Sequence, residues 1–197
     1  MTTPRPVPTA ADVLVIAATD HELASAAGWL TLRCGVGPVD AAAATAAALV
    51  HHQPRAIVHV GIAGARRASG LLPPSVVVGL TSLYCDLDVP ARFAPARLSP
   101  TDAFIEAACR AVPEASRRVI GTSGRVGQTL ACDVEAMEGF AVLRAATLAG
   151  VPAIEVRVIS NAIEDTNRAA WRFDEAFATV RRITPRLVQE ITACLPR

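Results

Sequence analysis

Short apolar runs alternate with helical or glycine-bearing stretches along the whole chain. Residues 12–18 (DVLVIAA) are apolar and rich in β-branched side chains, which predicts a first buried strand. Thr19 and Asp20 can cap a helix, so residues 21–30 are expected to be helical. Residues 30–34 predict a second strand, ending at Gly35-Val36-Gly37-Pro38, and the alanine-rich stretch 40–51 a helix. Residues 56–60 (AIVHV) predict a third strand, with Gly61-Ile62-Ala63-Gly64 as its closing turn. Residues 75–80 predict a fourth strand, 102–112 a helix, and 118–121 a further strand. Residues 135–149 predict a helix closed by Gly150 and Pro152. Residues 153–159 (AIEVRVI) predict a late strand ending at Ser160-Asn161, and 171–195 a last helix, interrupted at Pro185. The proline-bearing stretch 83–100 reads as a loop.

Near-continuous apolar strands separated by helices predict an α/β fold. The expected architecture is a three-layer sandwich around a mostly parallel, twisted central sheet. There is no internal repeat and no linker, so residues 1–197 are expected to form a single domain, with 1–10 flexible. In such folds ligands bind outside the carboxyl ends of the strands. Four of those ends carry polar or glycine-rich segments: 19–22, 35–37, 61–64 and 160–161.

Composition narrows the function. The 197 residues are 52% hydrophobic and 19% charged, enough apolar surface for a full core. Net charge is +1, which argues against nucleic acid as a partner, and aromatic residues make up only 4%. All nineteen basic residues are Arg, which removes Lys-based Schiff-base and phosphate chemistry. No apolar run reaches the ~18 residues of a membrane span, and residues 1–8 do not read as a signal peptide. Five cysteines without a CxxC pair predict free thiols and a cytoplasmic protein. The few histidines lack metal spacing, so no metal and no cofactor are expected, and His59 reads as a satisfied core residue.

Each polar segment has a chemical and a plain structural reading. Glu22, just past the first strand, is either a general base for water or an acid favoured near a helix start. Gly35-Val36-Gly37 is either a phosphate cradle or a tight turn. Gly61-Ile62-Ala63-Gly64 either admits a flat ligand to the backbone or lets a helix pack closely. Glu135 and Glu138, three apart, read as one helix face with one carboxylate aimed at a polar site, or as a solvated first turn capped by Asp133. Ser160-Asn161 is either a reactive strand end or a cap.

Taken in order, VLVIAATDHEL (13–23), LRCGVGPVDAAAAT (32–45), IVHVGIAGA (57–65), YCDLDV (84–89), DVEAMEGFAVLRAATLAGVPAIEVRVISN (133–161) and NRAAWRFDEAF (167–177) resemble the purine nucleoside phosphorylase and nucleosidase superfamily. The specific part is VEAMEG followed by RVISN. The EAMEG spelling, Asn161 after Ser160, and Trp171 downstream bring the futalosine hydrolases of menaquinone biosynthesis closest.

That resemblance implies hydrolysis of a purine nucleoside N-glycosidic bond through an oxocarbenium-like transition state. Glu22 falls on the water-activating carboxylate and Asn161 on the residue facing purine N7. Met137 and Glu138 fall on the ribose site; Ala63, Gly64, Val126 and Ser160 fall around the base. The expected substrate is futalosine, giving hypoxanthine and dehypoxanthine futalosine. A substrate carboxylate would need an arginine, from among Arg5, Arg33, Arg66, Arg67, Arg92 and Arg97. The family also implies a homodimer closed by the 83–100 loop. The alternatives are a methylthioadenosine, S-adenosylhomocysteine or aminodeoxyfutalosine nucleosidase, a phosphorylase, and an inactive nucleoside-binding protein.

Overall fold

The computed structural model describes residues 7–127, 129 and 132–196. Among the described residues eight strands and four α-helices follow in the order β1 (Val13–Ala17), β2 (Leu30–Arg33), α1 (Pro38–His52), β3 (Ala56–Ala65), β4 (Val76–Tyr84), β5 (Arg97–Leu98), α2 (Asp102–Ala111), β6 (Ser116–Thr122), β7 (Val134–Ala136), α3 (Gly139–Leu148), β8 (Ala153–Ala162) and α4 (Phe173–Ala193). Arg5 and most of the segment expected to be flexible lie outside the described residues.

The strand alternation divides the core. In β1, Val13, Val15 and Ala17 face a cluster built with Phe104, Ala107 and Ala108 of α2 and Val180, Leu187 and Ile191 of α4. Leu14 and Ile16 face the opposite cluster, with Ala41 and Ala48 of α1 and Val142 and Ala146 of α3. Helices therefore cover both faces of an α/β sheet, as predicted. Burying one such side chain is worth roughly 1.5–3 kcal/mol, so these two clusters carry the stability of the fold.

The sheet is mixed and partly closed. β1 pairs in parallel with β2 and β3, and β3 in parallel with β8. β8 then pairs antiparallel with β4, β4 pairs in parallel with β6, and β6 in parallel with β7. β7 returns antiparallel to the end of β3, closing a ring around Ala63, Val77, Ile120, Val134 and Ile159. This closure brings the start of α3 beside the ends of β3 and β8.

Several local expectations are corrected. Residues 21–30 form no helix. The Glu22 side chain accepts the Thr19 backbone N–H and hydroxyl, a bond compatible with a helix start, but it also accepts the Ile62 N–H from β3, and no helix follows the turn at 20–22. Residues 135–149 are not one helix: Glu135 lies in β7, and α3 begins only at Gly139. Glu135 and Glu138 thus share no helix face, and Asp133 caps nothing there. Pro185 sits inside an uninterrupted α4. The 83–100 loop contains the short strand β5.

Gly61 and Gly64 lie within β3 rather than in a turn. A Cβ on Gly61 would run into the Arg157 guanidinium and come within 2.9 Å of Glu22 Oε1. One on Gly64 would lie 3.1 Å from Asn161 Nδ2. These glycines make room for polar side chains; they do not reverse the chain. Ser160 and Asn161 likewise belong to β8.

Candidate active site

One cavity of about 250 Å³ opens at the ends of β1, β3, β7 and β8. Glu22, Ala63, Gly64, Val126, Met137, Glu138, Ser160 and Asn161 all line it. Its outer wall is aromatic: Trp171, Phe173 and Phe177.

Glu22 is fixed by three donors. Oε2 accepts from Thr19 N (2.9 Å) and Thr19 Oγ1 (2.8 Å), and Oε1 accepts from Ile62 N (3.0 Å). The residue is buried, and a carboxylate with three bonds retains acceptor capacity for one more donor in the cavity.

Glu138 is the residue before α3. Its Oε1 accepts the Gly37 N–H at 3.1 Å, and its Oε2 lies 3.5 Å from Arg157 Nη2. Burial pushes the Glu138 pKa upward, opposed by Arg157 and the Gly37 amide. Gly37 has φ +92°, a conformation suited to glycine, so the turn aims its amide at a carboxylate. This explains the Gly35-Val36-Gly37 motif without a bound phosphate.

The Asn161 amide is oriented by its neighbours. Nδ2 donates to the Ala162 carbonyl (2.9 Å), and Oδ1 accepts from Ser160 Oγ (2.8 Å). A carbonyl only accepts, so the nitrogen must face Ala162. One N–H and one oxygen lone pair remain for a ligand.

The loop over the cavity mouth is anchored at both ends. Asp86 accepts from Ser123 Oγ (2.9 Å) and Gly124 N (2.6 Å). Glu135 accepts from Gly127 N, Thr129 N and Thr129 Oγ1. Glu135 and Glu138 both line the cavity; Glu135 is engaged with this loop, and Glu138 with Gly37 and Arg157. Arg66 donates to the carbonyls of Thr129 and Cys132, Arg67 pairs with Asp165 and Arg33 with Asp20 (3.4 Å), and none of the three lines the cavity. Arg92 lies over the Phe93 ring. Arg33 lines a neighbouring groove of about 690 Å³ that shares Ala18, Thr19 and Val36 with the cavity.

Sequence reasoning missed Arg157 and, beyond Trp171, the aromatic wall. Arg157 is fully buried, bonded through Nε to Glu155 (2.8 Å). Burial acts to lower its pKa, but Glu155 and Glu138 outweigh this and hold the guanidinium above its ordinary value. The signal was a charged pair, Glu155 and Arg157, at strand spacing inside an apolar run. For the wall, the signal was Phe173 and Phe177 at i, i+4.

A family model described as the phosphorylase superfamily matches residues 28–195. The futalosine hydrolase of Streptomyces coelicolor is 32% identical, across 86% of this chain and 82% of that relative. An S-adenosylhomocysteine nucleosidase from Streptococcus pyogenes, in complex with 5-methylthiotubericidin, superposes with a TM-score of 0.78. That match covers 94% of this chain and 97% of that one, at 22% identity. The futalosine hydrolase of Helicobacter pylori superposes with a TM-score of 0.78, covering 90% and 97%, at 14% identity. At these identities the two structures speak for the fold alone.

The charge network makes a stability prediction. Arg157→Met leaves Glu155 and Glu138 buried without their cation and should cost about 3–5 kcal/mol. Urea unfolding followed by circular dichroism measures it; a loss below about 1 kcal/mol would contradict the network.

Proposed function

The chain belongs to the phosphorylase superfamily, and on that footing we propose that it hydrolyses the N-glycosidic bond of a 6-oxopurine nucleoside, with futalosine as the substrate. The observation that carries the reading is the convergence of Glu22, Glu138 and Asn161 on one cavity with an aromatic wall. The 32% identity to a futalosine hydrolase supports the substrate.

In this reaction the C1′–N9 bond breaks as water adds to C1′. Glu22 accepts the proton of that water, using the acceptor capacity its three fixed donors leave. Glu138 accepts hydrogen bonds from ribose hydroxyls, and Met137 packs on the sugar. Two carboxylates beside the reacting carbon favour an oxocarbenium-like transition state and disfavour an attacking phosphate. The Gly37 amide, which an anion would need, already serves Glu138.

Asn161 sets the base. Its free N–H donates to O6 of the purine, and its free lone pair accepts the N7–H that the base carries once it has taken a proton from solvent to balance the electron pair of the broken C1′–N9 bond. Adenine would ask for the reverse amide, setting Oδ1 against the Ala162 carbonyl. Ala63, Gly64 and Val126 enclose the ring, beside Ser160. A 5′ substituent leaves the small cavity past Thr19 and Val36 into the groove that holds Arg33. The products are then hypoxanthine and the base-free sugar, a step of menaquinone biosynthesis. Five free cysteines suit a cytoplasmic setting, and the whole chain serves as one domain.

The same reading includes a homodimer. An apolar groove of about 660 Å³ runs between α1 and α3, and Val39, Val50 and Leu148 beside it are more than 70% exposed. A second copy of the chain is the proposed occupant, since exposed apolar surface of this kind marks association sites.

Three expected outcomes follow from these assignments. The purified protein should release hypoxanthine from futalosine without phosphate, and Glu22→Gln should lower kcat by on the order of 10²–10⁴-fold. Release that requires phosphate, or a fully active Glu22→Gln, would overturn the mechanism. Asn161→Asp should shift kcat/KM toward the 6-amino analogue relative to the 6-oxo substrate; an unchanged ratio would remove Asn161 from base selection. Light scattering should give twice the chain mass, and Leu148→Glu should return it to one; a wild-type monomer would contradict the dimer.

A further inference from the structure

His59 and Glu155 are buried ionisable groups beside the site that the reaction above does not use. They are cross-strand neighbours, His59 on β3 opposite Glu155 on β8, and two residues further on Gly61 stands opposite Arg157. All four residues therefore share one face of the sheet.

The hydrogen bonds of His59 allow a single protonation pattern. Nδ1 lies 3.1 Å from the Ile16 carbonyl, which can only accept, so Nδ1 carries the hydrogen. Nε2 lies 2.5 Å from Arg157 Nη2, which can only donate, so Nε2 is bare. His59 is neutral in this arrangement, and burial and Arg157 both hold its pKa well below the ordinary value. At the other edge of the guanidinium, Nε donates to Glu155 Oε1 at 2.8 Å. Glu155 in turn accepts from Ser82 Oγ and packs where Gly139 has no side chain.

The guanidinium is thus gripped at two edges. Its Nη2 faces Glu138 at 3.5 Å, and its Nη1 lies over Gly61, beside Glu22. The cluster already holds three carboxylates for one cation. A fourth carboxylate in place of His59 would add uncompensated buried charge, whereas a neutral imidazole accepts without adding any.

We propose that His59 is a positioning residue for catalysis: its bare Nε2, with Glu155, fixes the Arg157 guanidinium between the Glu22 and Glu138 carboxylates. The role rests on the nucleosidase reading above. A side chain that only filled space would be replaceable by any residue of similar volume; a positioning acceptor is replaceable only by another acceptor.

The test compares His59→Leu with His59→Gln, whose amide oxygen extends toward the same guanidinium. His59→Leu should lower kcat for hypoxanthine release on the order of 10–100-fold while KM stays within about twofold. His59→Gln should recover most of the lost kcat. Equal impairment of the two variants, or a Leu variant with wild-type kcat, overturns the proposal. Nitrogen-15 spectra of the wild-type imidazoles, with the His59 signals assigned by their loss in His59→Gln, give a second readout should His59→Leu not fold. A protonated Nδ1 with a bare Nε2 supports the contact; the opposite tautomer or an imidazolium overturns it. A wild-type protein that releases no base from any nucleoside fails the nucleosidase reading and takes the catalytic part of this proposal with it. The nitrogen spectra still decide the His59–Arg157 contact in that case.

Discussion

A guanidinium shut off from water is the constraint around which this molecule is arranged. Arg157 sits on β8 with Glu155 on one edge, His59 on another, and Glu138 within 3.5 Å. Leaving any of these carboxylates buried without the cation would be costly. The surroundings conform to it. Gly61 has no side chain because the guanidinium occupies that space, and Gly139 has none because Glu155 does. The same charge links Glu22 and Glu138, two of the three carboxylates that line the cavity, so the electrostatics that hold β3, β8 and the start of α3 together are also those of the site.

The rest of the fold delivers groups to that cation. The apolar faces of β1 and the four helices build the two large clusters and supply the stability. Ring closure through β7 swings Met137 and Glu138 against the ends of β3 and β8. Thr19, just past the first strand, and Ile62, in the third, hold Glu22, and Asp86 and Glu135 hold the loop over the mouth. Each polar group in the cavity is therefore oriented by a second one, which keeps its geometry set before a substrate arrives.

The legible parts of the sequence were those where one period dominated. β1, β2, α1, α2 and β6 follow from apolar runs and clear caps, and α4 from its buried positions at helical spacing. The misread parts were those where a side chain overrode local preference. A helix over 21–30 is absent although Thr19 and Glu22 bond as at a helix start, because Glu22 is turned onto the Ile62 amide of β3, a contact no local pattern reveals. The start of α3 shifts because a three-residue strand is too short to show a period, and its pairing with β3 and β6 is a long-range matter. The glycines of 61–64 read as a turn because nothing local reveals that Arg157 and Asn161 fill the space beside them. The proposed site residues were recognisable by motif and do meet in one cavity. Arg157 and His59 were hidden inside strands, where charge is read as exception and not as machinery.

The central claim is that two carboxylates and one amide direct water, not phosphate, to C1′ of a 6-oxopurine nucleoside. Its most direct measurement is turnover of futalosine in oxygen-18 water, with mass spectrometry of the sugar product. The account predicts one labelled oxygen at the anomeric carbon and unlabelled hypoxanthine. A sugar phosphate formed when phosphate is added, or a product with no label, would contradict it.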